Sequence, residues 1–191
     1  MQNKNKTIGN AVHPLNFHSG AVLKAMFRGA TRGANSYDGV CAGVMGVVAS
    51  LSRNCGQVGF VSAIIGSDGP QLVDRNMAIL ADYTDRFRNS TSYPVISAAD
   101  VFHMELLDQY RSVPNSANGW FGFWRKVLGS GVSDLFMTPR WTESAGAMDE
   151  HEFARETKIR IHYRESDPEL VRILARHRGM GLFKRGPGGK G

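Results

Sequence analysis

Residues 134–154 read Asp134-Leu-Phe-Met-Thr-Pro-Arg140-Trp141-Thr-Glu-Ser144-Ala-Gly146-Ala-Met-Asp149-Glu150-His-Glu-Phe-Ala154. This stretch decides the fold. A short apolar run opened by an acid has the length and composition of a strand covered on both faces. Arg140 to Gly146 turn the chain. Ser144 then stands as the N-cap of a helix that buries Ala147, Phe153 and Ala154. Strand, turn and helix in this order make half of a parallel α/β unit.

The same alternation extends to both sides. The runs QVGFVSAII (57–65), YPVISAADV (93–101) and IRIHY (159–163) predict three more short buried strands. Between them, helical spacing covers Gln71–Asn89, with Leu72, Met77, Leu80, Tyr83 and Phe87 on one face, and Trp120–Leu128. Ala147–Lys158 and Pro168–Arg178 complete the set. Alternation from residue 57 to 178 predicts an α/β fold, a Rossmann-like or flavodoxin-like parallel sheet flanked by helices. In such sheets the ligand sits beyond the carboxyl ends of the strands. Residues 1–56 read as an N-terminal helical arm, irregular over 1–34 and helical over Asn35–Leu51, where Ala42, Gly43 and Gly46 allow close packing. Residues 179–191 read as a flexible basic tail, too rich in glycine to order itself.

Composition narrows the classes. With 191 residues, 42% hydrophobic and 21% charged, the chain is neither disordered nor fibrous. Two cysteines, Cys41 and Cys55, exclude a disulfide framework and leave at most one bridge. No apolar run reaches the ~20 residues of a membrane helix, so a cytoplasmic protein is expected. The net charge of +6 is uneven: residues 1–56 carry +5, residues 160–191 carry +5, and the middle carries −4. Basic ends on an acidic centre suit solubility, and they also suit phosphorylated partners.

The chemistry concentrates around the quoted stretch. Ser144 leaves backbone N–H groups at a helix start, a seat for an anion. Gly146 lets a ligand approach the backbone. Glu150, one turn further, shares that face and supplies a nucleophile or base. The same residues also read simply as an N-cap with first-turn acids, Asp149 and Glu150, favoured by the helix dipole. Other crevice candidates are Ser62, Gly66, Ser67 and Asp68 after the first strand, Asp100 and His103 after the second, and Arg140 and Trp141 after the third. The cluster Trp120, Phe121, Phe123 and Trp124 reads as core or oligomer contact, with base stacking as the alternative. The six histidines show no metal-ligand spacing.

The pattern of Asp134, a hydrophobic run, Pro139, Trp141, Ser144, Gly146, Glu150 and Ala154 resembles the nucleoside 2-deoxyribosyltransferase superfamily, nearest its nucleotide N-hydrolase and uncharacterised phage and bacterial branches. The resemblance covers about residues 57–165, and Asn76 on the first helix of that region fits it. It implies that Glu150 attacks the anomeric carbon of a (deoxy)ribose and displaces the base. Ser144 would hold a 5′-phosphate, and Asp134 would match the aspartate that opens the third strand. The resemblance also implies a homo-oligomer and a nucleoside or nucleotide substrate, with no metal or organic cofactor. The chain departs from that pattern in two places. The stretch Gly59-Phe60-Val61-Ser62 lacks the usual tyrosine, and Trp124-Arg125-Lys126 lacks the acid that the N-hydrolases carry there. Asp68, Asp100 and His103 are the remaining candidates for the acid that assists the leaving base.

Three functions follow from these residues. The first is cleavage or exchange of the N-glycosidic bond of a (deoxy)nucleoside or its 5′-monophosphate. The second is a non-catalytic nucleotide-binding module that senses or sequesters its ligand. The third is a basic protein associated with nucleic acid or a virion, although no nucleic-acid motif supports it.

Overall fold

Two helices precede the sheet: α1 (Gly20–Thr31) and α2 (Tyr37–Cys55). The sheet units follow in the order β1 (Gly59–Ser62), α3 (Val73–Arg88), β2 (Val95–Ser97), α4 (Ala98–Val101), α5 (Trp120–Gly129), β3 (Asp134–Met137), α6 (Ala145–Thr157), β4 (Arg160–Tyr163) and α7 (Pro168–Leu182). The computed structural model describes residues 19–102, 106, 109–110 and 112–182. The arm before residue 19, the tail from residue 183 and His103 lie outside the described residues.

The four strands form one all-parallel sheet in the order β2-β1-β3-β4. This is the predicted α/β architecture, and the order is Rossmann-like. The chain passes from β1 outward to β2, then returns across β1 to β3 and β4. In open α/β sheets a reversal of this kind makes the carboxyl ends of β1 and β3 the place where a ligand is expected.

Register and alternation assign the faces. Phe60 pairs with Leu135 and Ser62 with Met137, so these four point to one side. Val61, Asp134, Phe136 and His162 point to the other. On the first side Phe60 meets Trp124 of α5 at 5.2 Å, and α5 packs against both α2 and α6. On the second side Phe136 stacks on Phe87 of α3 at 4.4 Å and on His162 at 4.8 Å, and α3 packs against α7. Phe123 and Trp124 are buried with Phe102 in the core, and the partly buried Tyr37 and Trp120 pack against them in edge-on and tilted contacts.

Three expectations need correction. Residues 1–34 are not irregular throughout, because α1 is a helix with Leu23, Phe27 and Thr31 buried at i, i+4 and i+8. Leu23 and Phe27 belong to the same hydrophobic core as Val40, Val44, Val48 and Leu51 of α2 and the strands themselves. Gly43 makes that docking possible: a Cβ there would lie 2.4 Å from the Ala30 carbonyl oxygen. Next, β4 is not covered on both faces. It is an edge strand, with Arg160 and Tyr163 exposed. Finally, α7 runs to Leu182, through Gly179 and Gly181, beyond the expected stop at Arg178.

Cys41 and Cys55 are both free. Among the described residues, no helix is long and apolar enough to cross a membrane.

Candidate functional site

The site is built from the end of β1 and the second turn of α6. Ser62 closes β1, and its carbonyl accepts a hydrogen bond from the Thr138 hydroxyl at 2.8 Å, which ties the exit of β3 to the exit of β1. Helix α6 starts at Ser144, whose Oγ accepts from the Ala147 N–H at 3.3 Å. Its rotation is fixed from α5. Arg125 grips Asp149 through Nε and Nη2, with distances of 2.7 to 3.1 Å. With Asp149 turned to α5, the next residue, Glu150, points at the sheet.

There the Ser62 hydroxyl donates to Glu150 Oε2 at 2.5 Å. Both side chains are buried, Ser62 at 1% exposure and Glu150 at 7%. The pair stands at the place where the strand order reverses. Gly146, one turn earlier on the same face, has open space where a side chain would be: a Cβ would meet only Ser144 Oγ, at 3.8 Å. Gly146 itself therefore has room for a methyl group, one turn before Glu150.

Glu150 differs from the other buried acids. Asp100 is held by Arg88 at 2.6 Å and by the Ser97 N–H at 2.9 Å. Asp134 is held by Ser133 at 2.6 Å, His162 at 2.8 Å and Arg160 at 3.0 Å. No cation among the described residues pairs with Glu150. Burial pushes its carboxyl up to about 8, the Ser62 bond pulls it down, and the Asp149 charge adds to the rise. The carboxyl is therefore largely neutral at neutral pH. Unpaired buried acids of this kind concentrate at functional sites.

The two other acids proposed as catalytic are not assembled with Glu150. Asp134 opens β3, three residues before Met137, and points to the opposite face of the sheet. At about 3.3 Å per residue it is also ~10 Å from the carboxyl end. Its neighbours act against the rise that burial would cause: Ser133, His162 and Arg160 together keep the carboxyl below its ordinary range. Asp100 sits in a capping box with Ser97 and starts α4. Both are structural anchors.

The loop residues form a clasp rather than a phosphate cradle. Asp68 of the β1–α3 loop accepts from Arg140 of the β3–α6 loop at 3.0 Å and from Arg75 at 3.1 Å. Asn76, buried at 4%, donates to the Ile65 carbonyl at 2.9 Å and fixes the start of that loop. Arg140 also binds Glu143 at 2.9 Å through Nε, so its guanidinium is committed. The Arg140 contact is the main reason that the Asp68 carboxyl lies below its ordinary range. Gly66 and Ser67 are exposed at the loop tip.

Trp141 has two partners that the sequence reading missed. It stacks on His151 at 4.7 Å and 29°, and His151 Nε2 lies 2.8 Å from Tyr163 Oη. Burial, with the Arg155 charge, lowers the His151 pKa. Tyr163 is 54% exposed, so this trio presents an aromatic surface beside α6. The signal was present: Tyr163 ends β4, and His151 lies two helical turns beyond Ser144. Among the described residues, no group of three His, Cys, Asp or Glu side chains is placed to hold a metal ion.

The chain matches no family model, no curated protein and no solved structure.

Proposed function

We propose that the crevice beyond β1 and β3 binds a nucleoside or nucleoside 5′-monophosphate, and that Glu150 acts on its N-glycosidic bond. One observation carries this reading. A buried carboxyl that pairs with no cation among the described residues is held by one serine at the reversal point of a parallel sheet. Such a group costs stability where it sits, and a developing positive charge on a sugar ring would repay that cost.

The reading assigns Glu150 the role of nucleophile. Its neutral carboxyl first gives up its proton to solvent, and the carboxylate oxygen then bonds to the anomeric carbon as the carbon–nitrogen bond breaks. The base departs with the electron pair and takes its proton from solvent, because Asp68, Asp100 and Asp134 are all committed to arginines. Water then cleaves the glycosyl ester, or a second base accepts the sugar. Ser62 steadies the carboxylate. The α6 amides beside Ser144 and Gly146 face the phosphate of a monophosphate substrate. The Trp141, His151 and Tyr163 surface offers the base a stacking partner.

The binding-module reading keeps one observation in its favour. Glu150 is largely neutral at neutral pH, which suits a site that holds a ligand without attacking it.

Chromatographic product analysis tests both. The protein is incubated with ribo- and deoxyribonucleosides and their 5′-monophosphates, with Glu150→Gln alongside. Free base from the wild type alone supports the enzyme. A ligand that co-elutes intact supports the binding module. Equal base release from both proteins rejects the role of Glu150.

A further inference from the structure

On the sheet face opposite Glu150 lies a cleft of about 410 Å³. Its floor is the Phe136–His162 stack, and its rim is formed by the last turn of α3, residues 90–93 and the β4–α7 loop. The volume is within the range of small-ligand sites. Two arginines line it, Arg86 from α3 and Arg164 from the loop after β4. Neither makes an ion pair among the described residues, and a second cleft of about 770 Å³ in front of that loop shares both. Arg164 is set in place by its backbone N–H, which donates to the Met137 carbonyl at 2.9 Å. Asp167 lines both clefts, but its Oδ1 is occupied by the Glu169 N–H at 2.9 Å, as the cap of α7.

Arg86 makes the cleft more than a dent. Its Nε is buried and has no hydrogen-bond acceptor. A buried donor on a charged group is costly to leave unmatched, so its lack of an acceptor calls for an explanation. His162 points the same way. Its Nε2 is spent on Asp134 at 2.8 Å, which leaves the other ring nitrogen for a partner. Ser92 and Tyr93 complete the rim.

We propose that this cleft is a second ligand site, and that it takes a small molecule carrying a phosphate or carboxylate group on Arg86 and Arg164. Guanidinium forks suit both oxyanions. The proposal stands apart from the role of Glu150, since the two sites occupy opposite faces of the sheet.

The test is a nuclear magnetic resonance titration of the full chain with sodium phosphate and, separately, sodium acetate. Chloride keeps the ionic strength constant, so that screening does not change. The Arg86 Nε–Hε signal and the Ser92 and Tyr93 amides report binding. Saturable shifts are expected with at least one anion, and the stronger of the two names the ligand group. Arg86→Gln and Arg164→Gln are each expected to weaken binding about tenfold, the loss of one charge-assisted hydrogen bond. Arg164 is exposed, so that variant keeps the fold. Arg53→Gln on α2 and Glu150→Gln should leave the titration unchanged. No saturable shift with either anion, or equal weakening by Arg53→Gln, would overturn the proposal.

Discussion

Replacing Glu150 by glutamine should change how stability depends on pH. Glutamine keeps the shape and the Ser62 contact but cannot ionise. In the wild type, burial raises the carboxyl from 4.5 to about 8 in the folded protein. The folded state therefore holds its proton more tightly than the unfolded chain. Stability is full below the unfolded value, falls as pH rises, and levels off above about 8. At 1.36 kcal/mol per unit, a shift of about 3.5 units amounts to roughly 5 kcal/mol, with a slope of about 1.4 kcal/mol per pH unit inside the window. Urea unfolding of both proteins from pH 4.5 to 9 isolates this effect, because every other titrating group is common to the two. The stability of Glu150→Gln relative to the wild type should climb across the window and then plateau. A difference that stays constant from pH 5 to 8.5 would show that Glu150 is not held neutral, and the chemical argument built on its unpaired burial would fall with it.

Further predictions concern packing and access. Gly43→Ala should cost about 1–3 kcal/mol in urea unfolding, because its Cβ would press on the Ala30 carbonyl and lift α1 from α2. Gly46→Ala, on the same helix with no neighbour within 4 Å, should instead gain up to about 1 kcal/mol. Arg88→Ala should cost about 3–5 kcal/mol in the same assay, since it strands the Asp100 carboxylate, exposed by only 1%. Gly146→Ala should leave thermal stability equal or slightly higher, yet weaken nucleotide binding by calorimetry, because the new methyl group enters the open space on the Glu150 face.

Local patterns made the fold legible. The strand–turn–helix order around Ser144 needed only a hydrophobic run, a proline and a cap, and all four strands fall within runs visible in the chain. What stayed hidden depends on long-range pairing. Helix α1 is masked in the sequence because FRGATRG resembles a turn, although Leu23, Phe27 and Thr31 fall on one stripe. Asp134 was placed at the site by its position in a motif. Strand parity against Ser62 sends it to the other face, but that parity depends on the β1–β3 register. Arg140 appeared free until Asp68, 72 residues away, met it across the crevice. The Ser62–Glu150 contact spans 88 residues. The sequence placed each partner near the crevice without showing that they touch.

The most direct test is to catch the sugar on Glu150. The protein is quenched in acid during incubation with the best substrate, and its intact mass and peptides are measured by mass spectrometry. A mass increase of one (deoxy)ribosyl or ribosyl phosphate group, on the peptide that holds Glu150 and absent from Glu150→Gln, is the predicted result. Base release with no adduct, or an adduct on any other residue, would contradict the assignment of Glu150 as the nucleophile.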